Sequence, residues 1–269
     1  MRADQLLVER GLASSRAQAQ RLIAAGLRWR LPGSAWQTVT KNGAELPPAA
    51  DLALNDDAEA RYVSRGGLKL EGALAAAGLT VRGWRCLDVG QSTGGFTDCL
   101  LQHGAAAVVG VDVGHGQLHP RLRADARVCA LEGVNARDPG LSKTIANNDR
   151  LALGFQGKTP EFDLVTGDVS FISLTLVLPT LVPMLAASGH LLMLVKPQFE
   201  LQPADIGKGG LVKDPASHAR VEARLRQACA ALGLAVVGWH DSPIAGGDGN
   251  REFFIHARWP GAGAEKVSA

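Results

Sequence analysis

Short apolar runs, each closed by a charged or small polar residue, recur from position 86 to the end of the chain. Their periods predict strands at Cys86–Val89, Ala107–Asp112, Arg127–Leu131, Phe162–Asp168, Leu191–Val195, Leu234–Trp239 and Phe253–Ala257. Helical spacing lies between them: Phe96, Cys99 and Leu100 after the first run, and Val221, Leu225, Cys229 and Leu232 within 215–232. Residues 174–185 read as a helix kinked at its prolines, and 141–160, without periodicity, as a long loop. Strands alternating with helices predict an α/β fold on a mostly parallel sheet. The short glycine-rich link at 245–250 is too brief for a parallel crossover, so the last strand is expected to run antiparallel.

Residues 1 to about 60 have a different texture. Leu6, Leu7 and Val8 suggest a short apolar turn. Ser14 or Ser15 then caps a helix bearing Ala19, Leu22 and Ile23 that stops at Gly26. Strand-like pieces follow, with a hairpin signal at Lys41-Asn42-Gly43. This reading gives a small α+β domain over 1–60, a larger domain over 61–260 and a disordered tail over 261–269.

Composition narrows the classes. Net charge is only +2, so nucleic-acid binding must rest on local patches. One exists: residues 1–43 hold seven Lys and Arg against two acids, and Arg2, Arg16, Arg21, Arg28, Arg30 and Lys41 are candidates for phosphate contact. The four cysteines sit in apolar runs without C-x-x-C spacing, which suits buried thiols rather than zinc ligands or disulfides. No metal site is expected. No signal peptide is visible, and the apolar span 176–195 is interrupted by Pro179, Pro183, Gly189 and His190, so a cytoplasmic protein with no membrane role is expected.

The chemistry gathers around Cys86 to Asp98. Asp88-x-Gly90-x-Ser92-x-Gly94-Gly95 follows a strand and opens a helix, as in a nucleotide-binding βα unit, but it lacks the dinucleotide spacing. An acid ahead of the loop repels phosphate and suits a ligand carrying an ammonium and a sulfonium. A second acid, Asp112, ends the next run, where a ribose hydroxyl pair would be held. Together they point to S-adenosylmethionine (SAM). Glu132 and Asn135, after the third strand, either read an adenine edge or only make a turn. In an open sheet ligands lie beyond the carboxyl ends of strands, and Asp168 and Lys196 occupy such ends. An antiparallel last strand would bring Glu252 to the same edge. Lys69, in the first turn of a helix where a cation is unfavourable, is the fourth candidate around one transferred methyl group.

Two resemblances follow. Residues 2–26, R-A-D-Q-L-L-V-E-R-G-L-A-S-S-R-A-Q-A-Q-R-L-I-A-A-G, resemble an S4-type RNA-binding domain. S-R-G-G-L-K-L at 64–70, D-V-G-Q-S-T-G-G-F-T-D at 88–98, V-D-V-G-H-G-Q-L at 111–118, D-V-S-F-I-S-L at 168–174, V-K-P-Q-F-E at 195–200, G-K-G-G-L-V-K-D-P at 207–215 and G-D-G-N-R-E-F-F at 247–254 resemble the TlyA family. That family joins an S4 domain to an FtsJ-like (RrmJ-like) methyltransferase.

The resemblance implies a Rossmann-like methyltransferase of seven strands that 2′-O-methylates ribose, that of cytidine included, in ribosomal RNA of the ribosomal subunits. No obligate protein partner is implied. It carries a catalytic tetrad onto Lys69, Asp168, Lys196 and Glu252. It carries SAM contacts onto Asp88, Gly90, Ser92, Thr93, Gly94, Gly95, Phe96, Asp112, Val113, His115, Gln117, Glu132, Asn135 and Asp168, and RNA contacts onto Arg2, Arg16, Arg21, Lys41 and Arg65. The chain departs from the pattern at Gln91, His115 and Gly133-Val134, and by insertions near 29–36 and 141–160. Lys196 is expected to act as base or hydroxyl-orienting group, with Lys69 lowering its pKa. Rival readings are a noncatalytic RNA-binding assembly factor with a SAM pocket and a membrane-active haemolysin.

Overall fold

The computed structural model describes residues 1–13, 16–24, 26–53, 61–148 and 159–261, without the side chains of 17, 18 and 21. The expected Ser14 or Ser15 cap, the Arg21 side chain, part of the 141–160 segment and nearly all of the tail lie outside these residues. The chain divides into two compact units, Met1–Leu68 and Lys69–Ala269.

In the first unit, α1 (Ala3–Glu9) and α2 (Arg16–Ala24) bury Leu6, Leu7, Ala19, Leu22 and Ile23 against Leu27, Val39 and Leu46. Leu6 to Val8 thus belong to a full helix rather than a turn. A small antiparallel sheet has the order β2-β1-β3, from β1 (Arg28–Arg30), β2 (Gln37–Thr38) and β3 (Asp51–Ala53). The insertion at 29–36 supplies the end of β1 and, over 31–36, the loop that connects it to β2. Asn42-Gly43 joins no two strands; its turn bonds back to the start of α1, with Asp4 N–H donating to Asn42 O at 3.2 Å and Ala3 N–H to Ala44 O at 2.8 Å.

The second unit begins within α3 (Gly66–Ala77). Its seven strands are β4 (Arg85–Val89), β5 (Ala107–Asp112), β6 (Val128–Glu132), β7 (Phe162–Gly167), β8 (Leu185–Val195), β9 (Ala235–Asp241) and β10 (Phe253–Arg258), in the order β6-β5-β4-β7-β8-β10-β9. β4 to β8 pair in parallel, and β10 runs antiparallel to both neighbours. The short β9–β10 link has the consequence expected of it. α4 (Gly95–Gln102) follows β4 and α5 (Pro215–Ala231) precedes β9, each burying an apolar face.

Three expectations fail locally. Residues 174–185 form no single helix but 3₁₀ turns at Leu174–Leu176 and Val182–Met184 around a four-residue helix, Leu178–Leu181. Pro179 and Pro183 lack the N–H a continuous helix needs. β8 also starts at Leu185, six residues ahead of the predicted strand, and Leu141–Ala146 is helical within the supposed loop.

Candidate active site

The carboxyl ends of the parallel strands form one edge. Val89, Gly90, Val111, Asp112 and Asp168 line a cavity of about 510 Å³ there, with Ser92, Val113, Gln117, Asn135, Arg137, Ser170 and Phe171 among its other walls. Gly90 is required by its backbone: φ is +79°, and a Cβ would lie 2.5 Å from the Asp168 carbonyl oxygen. Strands β4 and β7 therefore close to within a glycine's width, where Asp168 N–H also donates to Val89 O at 2.9 Å. Asp112 accepts the backbone N–H of Ser92 and of Gly114, both at 2.7 Å. These bonds fix its carboxylate at the cavity wall while leaving lone pairs for a diol.

Several expected cofactor contacts lie elsewhere. Asp88 is fully buried and absent from the cavity wall; Thr97 Oγ1 donates to it at 2.7 Å, and Gln91 Nε2 donates to Thr97 Oγ1 at 2.9 Å. Burial pushes the Asp88 carboxyl up to about 7 despite the Thr97 bond, and the neighbouring Asp168 and Asp112 charges add to the rise. Gln91 fills the space over Gly110, where a Cβ would fall 2.0 Å from its amide, so this departure has a packing role. Phe96 sits in the core, its ring 6.1 Å from that of Phe254. Gly94, at φ +93°, packs beneath Leu118 and Leu122 at the start of α4, whose first residue is the buried Gly95. Thr93 accepts from His119 N–H, His115 lies against Gly133, and Glu132 pairs with Arg123.

The four candidate catalytic residues meet at this edge. Register carries Glu252 there: Phe253 pairs with Val195, so the residue preceding β10 faces the residue following β8, which is Lys196. Lys69 Nζ donates to Glu252 Oε2 at 2.5 Å, with both side chains almost wholly buried. Lys196 forms its own ion pair with Asp168 and donates to Ser170 Oγ at 2.7 Å. The tetrad is thus two crossed pairs, each lysine with its own carboxylate, rather than two adjacent ammoniums. Burial pushes the Glu252 carboxyl up; Lys69 opposes this, Asp168 reinforces it and Lys196 opposes it again. Glu252 therefore lies within electrostatic reach of the other three charges.

The loop before β10 is fastened nearby. Asn250 accepts from Val212 N–H at 2.8 Å and donates to Gly210 O at 2.9 Å, and Gln198 donates to Asp248 at 2.9 Å. Ser170 and Phe171 escaped notice in the sequence. Phe171 is 90% exposed with φ +62°, its ring 5.0 Å from that of Phe199. Only its place three residues past the strand-end acid Asp168 could have flagged it.

Of the RNA candidates, Arg2 and Arg16 are tied to a buried carboxylate. Arg2 forms two 3.0 Å bonds to Asp4 and Arg16 one of 3.2 Å, while both guanidiniums remain partly exposed. The Arg2 bonds, chiefly, hold the Asp4 carboxyl well below the usual range. Lys41 is exposed at the Asn42-Gly43 turn, and Arg65 is half-buried just before α3.

The cavity walls suit SAM: apolar faces from Val111, Val113 and Val134, a fixed carboxylate at Asp112, and close backbone approach at Gly90. Sheet order, antiparallel β10 and this edge define a Rossmann-like, SAM-dependent methyltransferase. The FtsJ-like methyltransferase family matches residues 62–259 and the S4 domain family residues 1–27. The chain is 45% identical to "Putative rRNA methyltransferase YqxC" of Bacillus subtilis (98% of this chain, 88% of that one). It is 43% identical to "16S/23S rRNA (cytidine-2'-O)-methyltransferase TlyA" of Mycobacterium tuberculosis (96% and 89%). A solved structure, "Putative hemolysin from Streptococcus thermophilus", superposes with a TM-score of 0.68 at 39% identity (96% and 87%). The chain belongs to the TlyA family of FtsJ-like methyltransferases. Among the described residues no helix is long and apolar enough to cross a membrane.

Proposed function

We propose that this protein transfers a methyl group from SAM to a ribose 2′-hydroxyl of ribosomal RNA, with cytidine as the target nucleoside, in the cytoplasm where ribosomal subunits are found. The observation that carries the reading is the Lys196–Asp168 pair beside the cavity, with Lys69–Glu252 locked behind it. Bound SAM supplies a methyl already activated on a sulfonium. The protein's part is to place the hydroxyl and remove its proton. Lys196, steered by Asp168 and Ser170, orients the hydroxyl and in its amine form accepts that proton at Nζ. Asp112 holds the donor's ribose and Gly90 admits its backbone-facing edge. Lys69 and Glu252 fix the strand ends on which the reacting groups stand. The names of the relatives support the RNA substrate, as does the S4 match.

The test is transfer of tritiated methyl to small and large subunits, and to the corresponding naked RNAs, prepared from a strain lacking this gene. Label on a cytidine 2′-oxygen is expected; label on a base nitrogen or carbon, or none on any substrate, overturns the reading.

A further inference from the structure

Apart from Arg30 as a phosphate candidate, the insertion at 29–36 has no role described so far, and its geometry is specific. Side chains at alternate positions of β1 leave opposite faces. Trp29 turns inward and packs on the Leu6–Leu22 core, so Arg28 and Arg30 leave together on the outer face. Trp36, from the end of the hairpin loop, lies over those two arginines. Its ring centroid is 4.5 Å from the Arg30 guanidinium carbon and 5.8 Å from that of Arg28. Arg30 is steadied by Asp51 at 3.1 Å. The loop is tied by Ser34, which both accepts from Leu31 N–H at 2.9 Å and donates to Leu31 O at 2.8 Å.

Trp36 keeps both cations within cation–π range and is still 38% exposed. A large aromatic held open by an ordered loop, in a segment where basic residues outnumber acids seven to two, has the composition of a base-stacking platform. The two arginines beside it draw a phosphate to its rim and the exposed part of the ring offers a π-surface to any base. We infer that Trp36, with Arg28 and Arg30, forms a subsite that stacks one unpaired nucleotide of the RNA substrate, outside the methyl-transfer site. This inference rests on the RNA-substrate reading above but needs no catalysis for its test.

The experiment measures binding of the full chain to a fluorescent single-stranded 12-mer RNA and to a duplex of equal length by anisotropy, across a salt series. Trp36→Ala is expected to weaken single-strand binding roughly tenfold while leaving duplex binding and the salt slope unchanged. Trp36→Phe restores most of the loss. Arg28→Ala weakens both RNAs and lowers the salt slope by about one. Unaltered single-strand affinity for Trp36→Ala overturns the subsite, as does an equal loss on both RNAs accompanied by a lower melting temperature, which marks the ring as a hairpin staple. If wild-type protein methylates no ribosomal RNA yet shows the selective Trp36 effect, the function reading fails and the subsite stands.

Discussion

Lys69 and Glu252, 183 positions apart in the chain, share a 2.5 Å hydrogen bond in which neither side chain is more than 9% exposed. Removing one partner strands a charge where water does not reach it, which costs more than the pair itself is worth. Lys69→Met is expected to lower unfolding free energy by about 3 kcal/mol in urea titrations, and Lys69→Met/Glu252→Leu by clearly less. Additive single losses would show that the two charges do not depend on each other.

Gly90 faces two penalties at once, a left-handed φ and a backbone oxygen 2.5 Å from any Cβ. Gly83, at φ +77° with nothing within 4 Å, faces only the first. Gly83→Ala should cost about 1 kcal/mol. Gly90→Ala should cost at least ~2 kcal/mol and also weaken SAM binding measured by calorimetry. Equal effects at the two positions would remove the case for a closed β4–β7 approach.

Asp88 carries a testable pH signature. Its folded pKa, about 7, lies above its ordinary value, so the folded state binds the extra proton. Its contribution to stability is fully present below about pH 4 and is lost as pH rises through 7. Asp88→Asn mimics the protonated form and should melt higher than wild type at pH 8, with the difference vanishing near pH 4. A difference independent of pH would mean Asp88 is charged in the fold.

His256 has the opposite slope. His190 Nδ1 lies 2.9 Å from His256 Nε2, a contact that needs one donor and one acceptor. Burial, then the charges of His190, His240 and Arg258, push His256 down to about 4. The unfolded chain therefore takes up a proton between about pH 6.5 and 4 that the fold refuses, and stability falls over that window. His256→Gln should flatten the melting temperature against pH between 6.5 and 4, and an unchanged slope would place the acid sensitivity elsewhere.

Much of this edge was legible in the sequence because it follows from two rules: ligands gather at parallel strand ends, and a short link reverses a strand. Asp168, Lys196 and Glu252 obey them, and Phe253–Val195 register delivers the last. Asp88 obeys neither rule's intent. A strand residue's face depends on where the neighbouring helix packs, and here Thr97 of α4 draws it inward. The small domain misled in a similar way. Asn42-Gly43 carries hairpin chemistry, yet the strands on either side of the insertion are the ones that pair. Phe171 left no signal beyond its place after a strand-end acid, since a left-handed φ at a non-glycine residue is imposed by its surroundings rather than by its own preference.

The most direct measurement compares wild type and Lys196→Ala for SAM affinity by calorimetry and for tritiated-methyl transfer to ribosomal subunits. An unchanged affinity with transfer reduced by at least ~10²-fold is predicted. Turnover equal to wild type would contradict the account, because the amine that orients the ribose hydroxyl would then be dispensable.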